Sequence, residues 1–365
     1  MENLEVITLT KQSLKEAVVA NKFWNDSYEA PFSLNKANWL LDNNRAEDQD
    51  VLAILGYENH TIIAFVYLMP DFIKGEDGNW LKIYWSQKWW ILEKYQGSVL
   101  PAYVKNMSLS ACNNQVVVRF LGDNTSAYYE KQPFTKFSVR KRYIILFSVD
   151  HQLLISKKNS LKTFTPILKL IDELSAKVIA LINKSKSSKR SKGISYESVD
   201  CIDNETWKFI EKHTENDIVP KSLDYINWQI DNNQYLQIKK DKDKIKYKCL
   251  LESISNKIYN VNLVIKKDDQ IVGFISGLVS GNRFTLRYFN TSEDYFNDSL
   301  KILIENIARS KCIVFQSENK KVGEQIINKY AKVYADVKKL ISLKHNDVSV
   351  DLNEALVHDQ DGNFI

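Results

Sequence analysis

Cysteine is scarce in this chain, and what there is excludes more than it offers. Four cysteines occur in 365 residues, Cys112, Cys201, Cys249 and Cys312, far apart and with no Cys-x-x-Cys pair. That spacing argues against a zinc site or a disulfide framework. The five histidines, His60, His151, His213, His345 and His358, have no Ser, Cys or metal-ligand spacing around them, which disfavours a hydrolytic triad. No apolar stretch reaches the eighteen or so residues of a membrane span, and the amino terminus turns polar within a few residues. Neither a membrane span nor a signal peptide is expected, and a reducing cytoplasm is the default compartment. Charge of one sign is missing too: 50 basic against 45 acidic residues leave a net +5, too mild to argue for DNA or another nucleic acid. With 44% hydrophobic and 26% charged residues, the composition is that of an ordinary soluble chain.

What is present is a repeat. PFSLNKANWLLDNN (Pro31 to Asn44) and PKSLDYINWQIDNN (Pro220 to Asn233) agree at eight of fourteen positions at a constant offset of 189 residues. Composition alone gives about one match in such a window. A period of that size is domain-like, not solenoid-like. Upstream of each copy a strand-like segment precedes a helix-like one: Glu5 to Leu9 before Ser13 to Trp24, and Ile194 to Val199 before Glu205 to His213. Downstream of each, β-branched runs flank Glu58-Asn59-His60 and Lys267-Asp268-Asp269, which is hairpin chemistry. By the hairpins the offset has grown by about twenty residues, which places an insertion at Gln234 to Ser255. Trp39 and Trp228, repeated in both copies, read as core residues that define the fold.

Length agrees with two domains. The expected division is 1–150, an inter-domain helix over 151–182, a basic Ser/Lys linker over 183–193, and a second domain over 194–365. The linker has no apolar residue and reads as a solvated connector. Before it, Thr165-Pro166 opens a helix, and Ile167, Leu168, Leu170, Ile171, Leu174, Val178 and Leu181 form a wide apolar stripe expected to pack between the domains.

Chemistry concentrates between Trp80 and Phe134. An aromatic strand ends in Glu93-Lys94-Tyr95-Gln96-Gly97-Ser98, and a helix follows with Pro101 in its first turn and Leu100, Val104 and Met107 at helical spacing. A glycine at a strand-to-helix junction bares backbone N–H groups at the positive end of a helix, an anion site in outline. Next come a buried-strand pattern, Gln115 to Phe120, and a short helix, Ser126 to Lys131.

Two of these segments resemble the GNAT superfamily of acyl-CoA-dependent N-acyltransferases. Lys94-Tyr95-Gln96-Gly97-Ser98-Val99 stands where that family has Q/R-x-x-G-x-G/A, keeping the first glycine but with Lys at the Gln/Arg position and Val at the last. Tyr129-Glu130-Lys131-Gln132-Pro133-Phe134 is similar to a late Tyr-Glu-Lys-Leu-Gly-Phe segment, with proline in place of glycine. The resemblance, which covers most of 1–150, implies an α/β (α+β) fold of two tandem GNAT-like domains, each a mixed, mostly antiparallel sheet flanked by helices. It implies that Ile91 and Leu92, with Glu93, lie along the pantetheine arm of acetyl-CoA or another acyl-CoA. The amides of Gln96, Gly97, Ser98 and Val99 would then face the pyrophosphate, and Asn124 would contact the cofactor from the next loop. Tyr129 matches a tyrosine that protonates a departing thiolate, and Glu93 is a candidate base by position.

The plainer readings stand beside these: Gly97 as a strand terminator, Tyr129 as a packed aromatic, Glu93 as a surface carboxylate, and Trp85, Trp89 and Trp90 as sheet core instead of an acceptor pocket. In the second half Phe284 to Phe289 leads through Asn290-Thr291-Ser292-Glu293-Asp294 into a helix, with no glycine between Arg283 and Gly323. Carboxylates there favour a helix start and repel a pyrophosphate, so this half is expected to be degenerate. Three functions follow: an N-acyltransferase acting on an amino sugar, small amine or peptide amine; a tandem scaffold that has lost catalysis; and a Fem-like aminoacyl-tRNA-dependent transferase, for which no inserted helical arm is found.

Overall fold

A computed structural model describes residues 4–25, 27–76, 78–122, 125–235, 257–350 and 358–364. The expected insertion at Gln234 to Ser255 lies almost wholly outside them, as does Asn124. In chain order the elements are β1 (Leu4–Thr10), α1 (Lys11–Val19), α2 (Leu34–Leu41), β2 (Val51–Glu58), β3 (Thr61–Lys74), β4 (Trp80–Ile91), α3 (Leu100–Ala111), β5 (Val116–Val118), α4 (Ser126–Tyr129) and β6 (Phe134–Leu146). Two helices follow, α5 (His151–Lys157) and α6 (Thr165–Ser187). The same order then recurs as β7 (Ile194–Ser198), α7 (Asn204–Glu211), α8 (Leu223–Ile230), β8 (Ile258–Lys267), β9 (Gln270–Ser280), β10 (Arg283–Thr291), α9 (Phe296–Arg309), β11 (Val314–Ser317), α10 (Lys320–Lys329) and β12 (Tyr334–His345).

Local chemistry explains the repeated motif. Ser33 and Ser222 are the N-caps of α2 and α8, accepting from the backbone N–H of Lys36 at 3.1 Å and of Tyr225 at 3.2 Å. The hairpins turn on Asn59-His60 and Asp268-Asp269, all four at positive φ, the backbone that a two-residue turn between twisted strands requires.

The chain divides into two compact units, and they interleave. Unit 1 comprises Met1–Val139, Asn216–Asn256 and Leu340–Ile365; unit 2 comprises Arg140–Glu215 and Lys257–Lys339. This differs from the contiguous division at 150 and 194. In unit 1 the sheet runs β1-β2-β3-β4-β5-β12, antiparallel except for the parallel β4–β5 pair. In unit 2 it runs β7-β8-β9-β10-β11-β6, antiparallel except for β10–β11. The run of strands in each unit thus takes its sixth member from the other half of the chain, β12 pairing along the edge that β5 would leave open. The α8 copy of the repeat also belongs to unit 1. Its Tyr225 hydroxyl donates to buried Asp71 at 2.8 Å, beside the Trp85 indole at 3.0 Å and an Arg45 ion pair.

Both faces of the unit 1 sheet are buried. Trp39, Leu40, Phe65, Tyr67, Trp85 and Tyr225 pack on one side, and Val66, Leu68, Leu100, Val104 and Leu109 on the other. Unit 2 has its own core, built from Ile275, Phe284, Leu300, Leu303, Phe315 and Ile326 among others. Two expectations need correction. The α6 stripe is exposed, Leu174 at 53% and Leu181 at 67%, because α6 instead buries Asp172, Ile179, Asn183 and Ser187. The linker is not a free connector either: residues 183–187 continue α6, Arg190 pairs with Glu305, and the Ser191 hydroxyl donates to Asp298 at 2.6 Å.

Candidate functional site

Strands β4 and β5 run parallel only from Tyr84↔Val116 to Ser86↔Val118, where β5 ends. β4 continues to Ile91, still paired to β3 through Ala64↔Ile91, with a register shift that leaves Gln87 unopposed as a bulge. Residues 87–91 therefore keep a backbone edge that β5 does not cover. The bulge also turns the Gln87 side chain to the segment 358–364, where it donates to the Gly362 carbonyl at 3.2 Å and accepts from the Phe364 N–H at 3.1 Å. Gly362 has φ +62, and a Cβ there would meet the Trp85 ring at 2.6 Å, so the position requires glycine.

Beyond Ile91 the backbone makes one more bond to β3, Leu92 N–H to Ile63 at 2.8 Å, and then turns through Glu93–Tyr95 into α3. Of the four amides expected to face an anion, two are occupied inside the loop: Gln96 donates to Glu93 at 3.1 Å and Ser98 to Tyr95 at 3.0 Å. Gly97 and Val99 have no backbone acceptor among the described residues. All four residues are exposed. Gly97 is not at positive φ, and a Cβ on it would meet nothing within 4 Å, so the fold itself makes no demand for glycine there. Ile91 and Leu92 pack into the core face of α3, whereas Glu93 is exposed on the turn.

The chemistry missed by sequence reasoning lies beneath the parting of β4 and β5. Lys105, on α3, is fully buried and donates from Nζ to Ser86 Oγ at 2.9 Å. Ser86 in turn hydrogen-bonds the hydroxyl of Tyr129, which is 4% exposed. Phe134 and Trp89 meet the Tyr129 ring edge-on, with centroids 4.9 and 6.4 Å away, and the Lys105 ammonium lies 5.5 Å from the same ring. The buried Trp89 indole N–H has no partner among the described residues, an exception that a ligand acceptor would resolve. Burial lowers the Lys105 amine to about 8, against a smaller opposing pull from Cys112. Burial likewise pushes the Tyr129 phenol up, and the Ser86 hydrogen bond works against that rise. The available signal was Lys105 itself, a charge on the α3 face that carries Leu100, Val104 and Leu109. Glu93 forms no hydrogen bond or ion pair with this cluster among the described residues, and Asn124 lies outside them.

Unit 2 repeats the frame without the loop. β10 and β11 part after Thr285↔Gln316, and Arg287 is bulged. The turn Glu293–Tyr295 matches Glu93–Tyr95 in its Glu-x-Tyr sequence, but α9 starts at once at Phe296, so Gln96–Val99 have no counterpart.

No protein-family model matches this chain, and no curated protein does. Among solved structures, Saccharomyces cerevisiae N-myristoyltransferase with bound myristoyl-CoA is similar with a TM-score of 0.51 and 9% identity, over 98% of this chain and 86% of that one. A GCN5-related N-acetyltransferase from Anabaena variabilis has a TM-score of 0.48 at 8% identity, over 93% of this chain and 72% of that one. A putative acetyltransferase from Pyrococcus horikoshii has 0.46 at 11%, over 97% and 94%. The chain shares the fold of that N-myristoyltransferase, a mixed sheet flanked by helices.

Proposed function

We propose that unit 1 is an acyl-CoA-dependent N-acyltransferase whose site lies where β4 and β5 part, and that unit 2 is its degenerate counterpart. The observation that carries this reading is the buried Lys105–Ser86–Tyr129 chain beside the Trp89 indole, which has no partner among the described residues. The residues fit the cofactor: the stretch of β4 beyond its pairing with β5, up to Ile91 and Leu92, would pair with its amide-bearing arm, and Gly97 and Val99 offer amides to its phosphates. Bound acyl-CoA would supply an acyl group activated as a thioester.

The protein's own part is to hold and move a proton. Tyr129 keeps one at its phenol oxygen, aimed at a leaving group. As that proton departs, Ser86 passes its hydroxyl proton to the phenolate and Lys105 replaces it, so the net donor is the ammonium. An amine lowered to about 8 both holds and releases a proton near neutral pH. The acceptor class remains an amino sugar, a small amine or a peptide amine, with Glu93 as the candidate base by position.

A second reading, a scaffold that binds without catalysing, is favoured by one observation: two of the four loop amides are already occupied by Glu93 and Tyr95. Calorimetry with acetyl-CoA, longer acyl-CoAs and free CoA tests both. One site per chain for an acyl-CoA, with transfer to an amine, is expected; binding without transfer to any amine favours the scaffold, and no binding at all defeats the proposal.

A further inference from the structure

Helix α6 holds a row of large apolar side chains out to solvent, a feature that acyl transfer leaves unused. Ile167, Leu170, Leu174, Val178, Leu181 and Ile182 are between 42% and 67% exposed. At about 100° per residue they fall within an arc of roughly 120°. The helix cannot roll to hide them, because its opposite face is fixed. Asp172 accepts from Ser148 and His151, Ile179 sits in the unit 2 core, and Asn183 exchanges two hydrogen bonds with the backbone of Ala331, at 2.9 and 2.8 Å.

The surroundings of this stripe carry one sign of charge. Over residues 151–192 nine lysines are exposed against a single exposed carboxylate, Glu173. Beside the stripe a groove of about 780 Å³ between α6 and α9 is lined by Lys177, Lys184, Arg190 and Arg309. Its one carboxylate, Glu305, is already held by Arg190 and Arg309. An apolar cavity of about 210 Å³ adjoins it, among Phe147, Ile179, Ile304 and Ile307.

We propose that this face of α6 docks on an anionic membrane surface, with the apolar stripe entering the boundary between headgroups and acyl chains and Lys177 and Lys184 taking phosphate-bearing headgroups. An exposed apolar arc rimmed by lysine is the pattern of a helix lying in that interface, and anionic lipid supplies the charge that the rim lacks. A second copy fits less well. Helices paired along such a stripe need carboxylates opposite their flanking lysines, and Glu173 is the one on offer. No helix among the described residues is long and apolar enough to cross a membrane, so the contact is with the surface.

Vesicle flotation of the full chain tests this, comparing phosphatidylcholine alone with phosphatidylcholine containing about a third phosphatidylserine. Binding is expected to the anionic vesicles and to weaken as salt rises. Leu174→Glu with Val178→Glu should lower the bound-to-free ratio about tenfold or more and leave the melting temperature unchanged, since both side chains are exposed. Lys177→Gln with Lys184→Gln should weaken binding roughly tenfold and flatten its salt dependence. The proposal is overturned by equal binding to neutral vesicles, by stripe variants that bind like the parent, or by no vesicle binding. In the last case, a dimer that sedimentation shows dissociating in the Leu174→Glu, Val178→Glu variant would assign the face to a second copy.

Discussion

Trp39 and Trp228 stack face to face, with centroids 4.2 Å apart and planes 7° from parallel, and each indole N–H donates to the other's backbone carbonyl, at 2.7 and 2.8 Å. Residue i does to j what j does to i, the relation of a two-fold interface, here between two copies of a motif in one unit. It explains why the repeat keeps Asn-Trp. The tryptophans do not anchor separate cores; they anchor each other, with Phe364 against both rings.

Trp39→Ala is expected to lower unfolding stability by about 3 to 5 kcal/mol, the usual range for a buried tryptophan. In a double-mutant cycle, Trp39→Ala and Trp228→Ala should be strongly non-additive, by about 1 to 3 kcal/mol. Urea titration of the four proteins measures it. Additive losses would mean that the stacking contributes nothing beyond two separate burials.

Lys105 makes stability depend on pH in a way few lysines do. Its folded pKa, about 8, lies below the ordinary 10.5, so between those values the unfolded chain binds more protons and stability from this group rises with pH. Below about pH 8 both states are protonated and the full cost of the buried charge is present. The gain across the window is on the order of 3 kcal/mol. Urea unfolding from pH 7.5 to 10.5 should show a rise that Lys105→Met abolishes; parallel curves for the two proteins would place the charge in contact with water.

What was legible in the sequence was what neighbours in the chain decide. Asn59-His60 and Asp268-Asp269 tolerate positive φ and made both hairpins readable, and Ser33 and Ser222 marked helix starts. The strand-turn-helix path from Ile91 to Leu100 was read correctly as a path. The Lys105–Ser86–Tyr129 contact was not, because it joins β4, α3 and α4 through the packing of the sheet, which no spacing encodes. Helical periodicity likewise found the α6 stripe but not what lies against it. Nor does any local pattern announce that β12 pairs with β5, or that α8 packs with the first half.

Trp89→Phe separates fold from ligand by the sign of its effects. The indole N–H is buried without an acceptor among the described residues, so removing it relieves a desolvated donor and should leave stability unchanged or slightly higher. If a ligand carbonyl completes that bond, acyl-CoA affinity should fall about tenfold, as for the loss of one hydrogen bond of about 1 to 1.5 kcal/mol. Thermal melts with and without acyl-CoA read both effects. A less stable variant that binds acyl-CoA normally would make Trp89 a packing residue only.

The loop and the tyrosine act on different steps and should fail differently. Gly97 faces open space, and a Cβ there meets nothing within 4 Å, so Gly97→Glu should fold normally. It would nonetheless set a carboxylate beside amides proposed to hold phosphate, and acyl-CoA affinity should drop at least tenfold. Tyr129→Phe keeps the ring contacts with Phe134 and Trp89 and removes only the hydroxyl on Ser86. Binding should therefore persist while turnover falls by about 10² to 10⁴, the usual worth of a positioned proton donor. Lys105→Met should follow Tyr129→Phe and shift the pH profile of turnover, because the relay loses its source. Unchanged affinity in Gly97→Glu would reduce the loop to a turn and strengthen the scaffold reading. Unchanged turnover in Tyr129→Phe would move the proton donor to water, leaving the acyltransferase reading intact but the relay without a purpose.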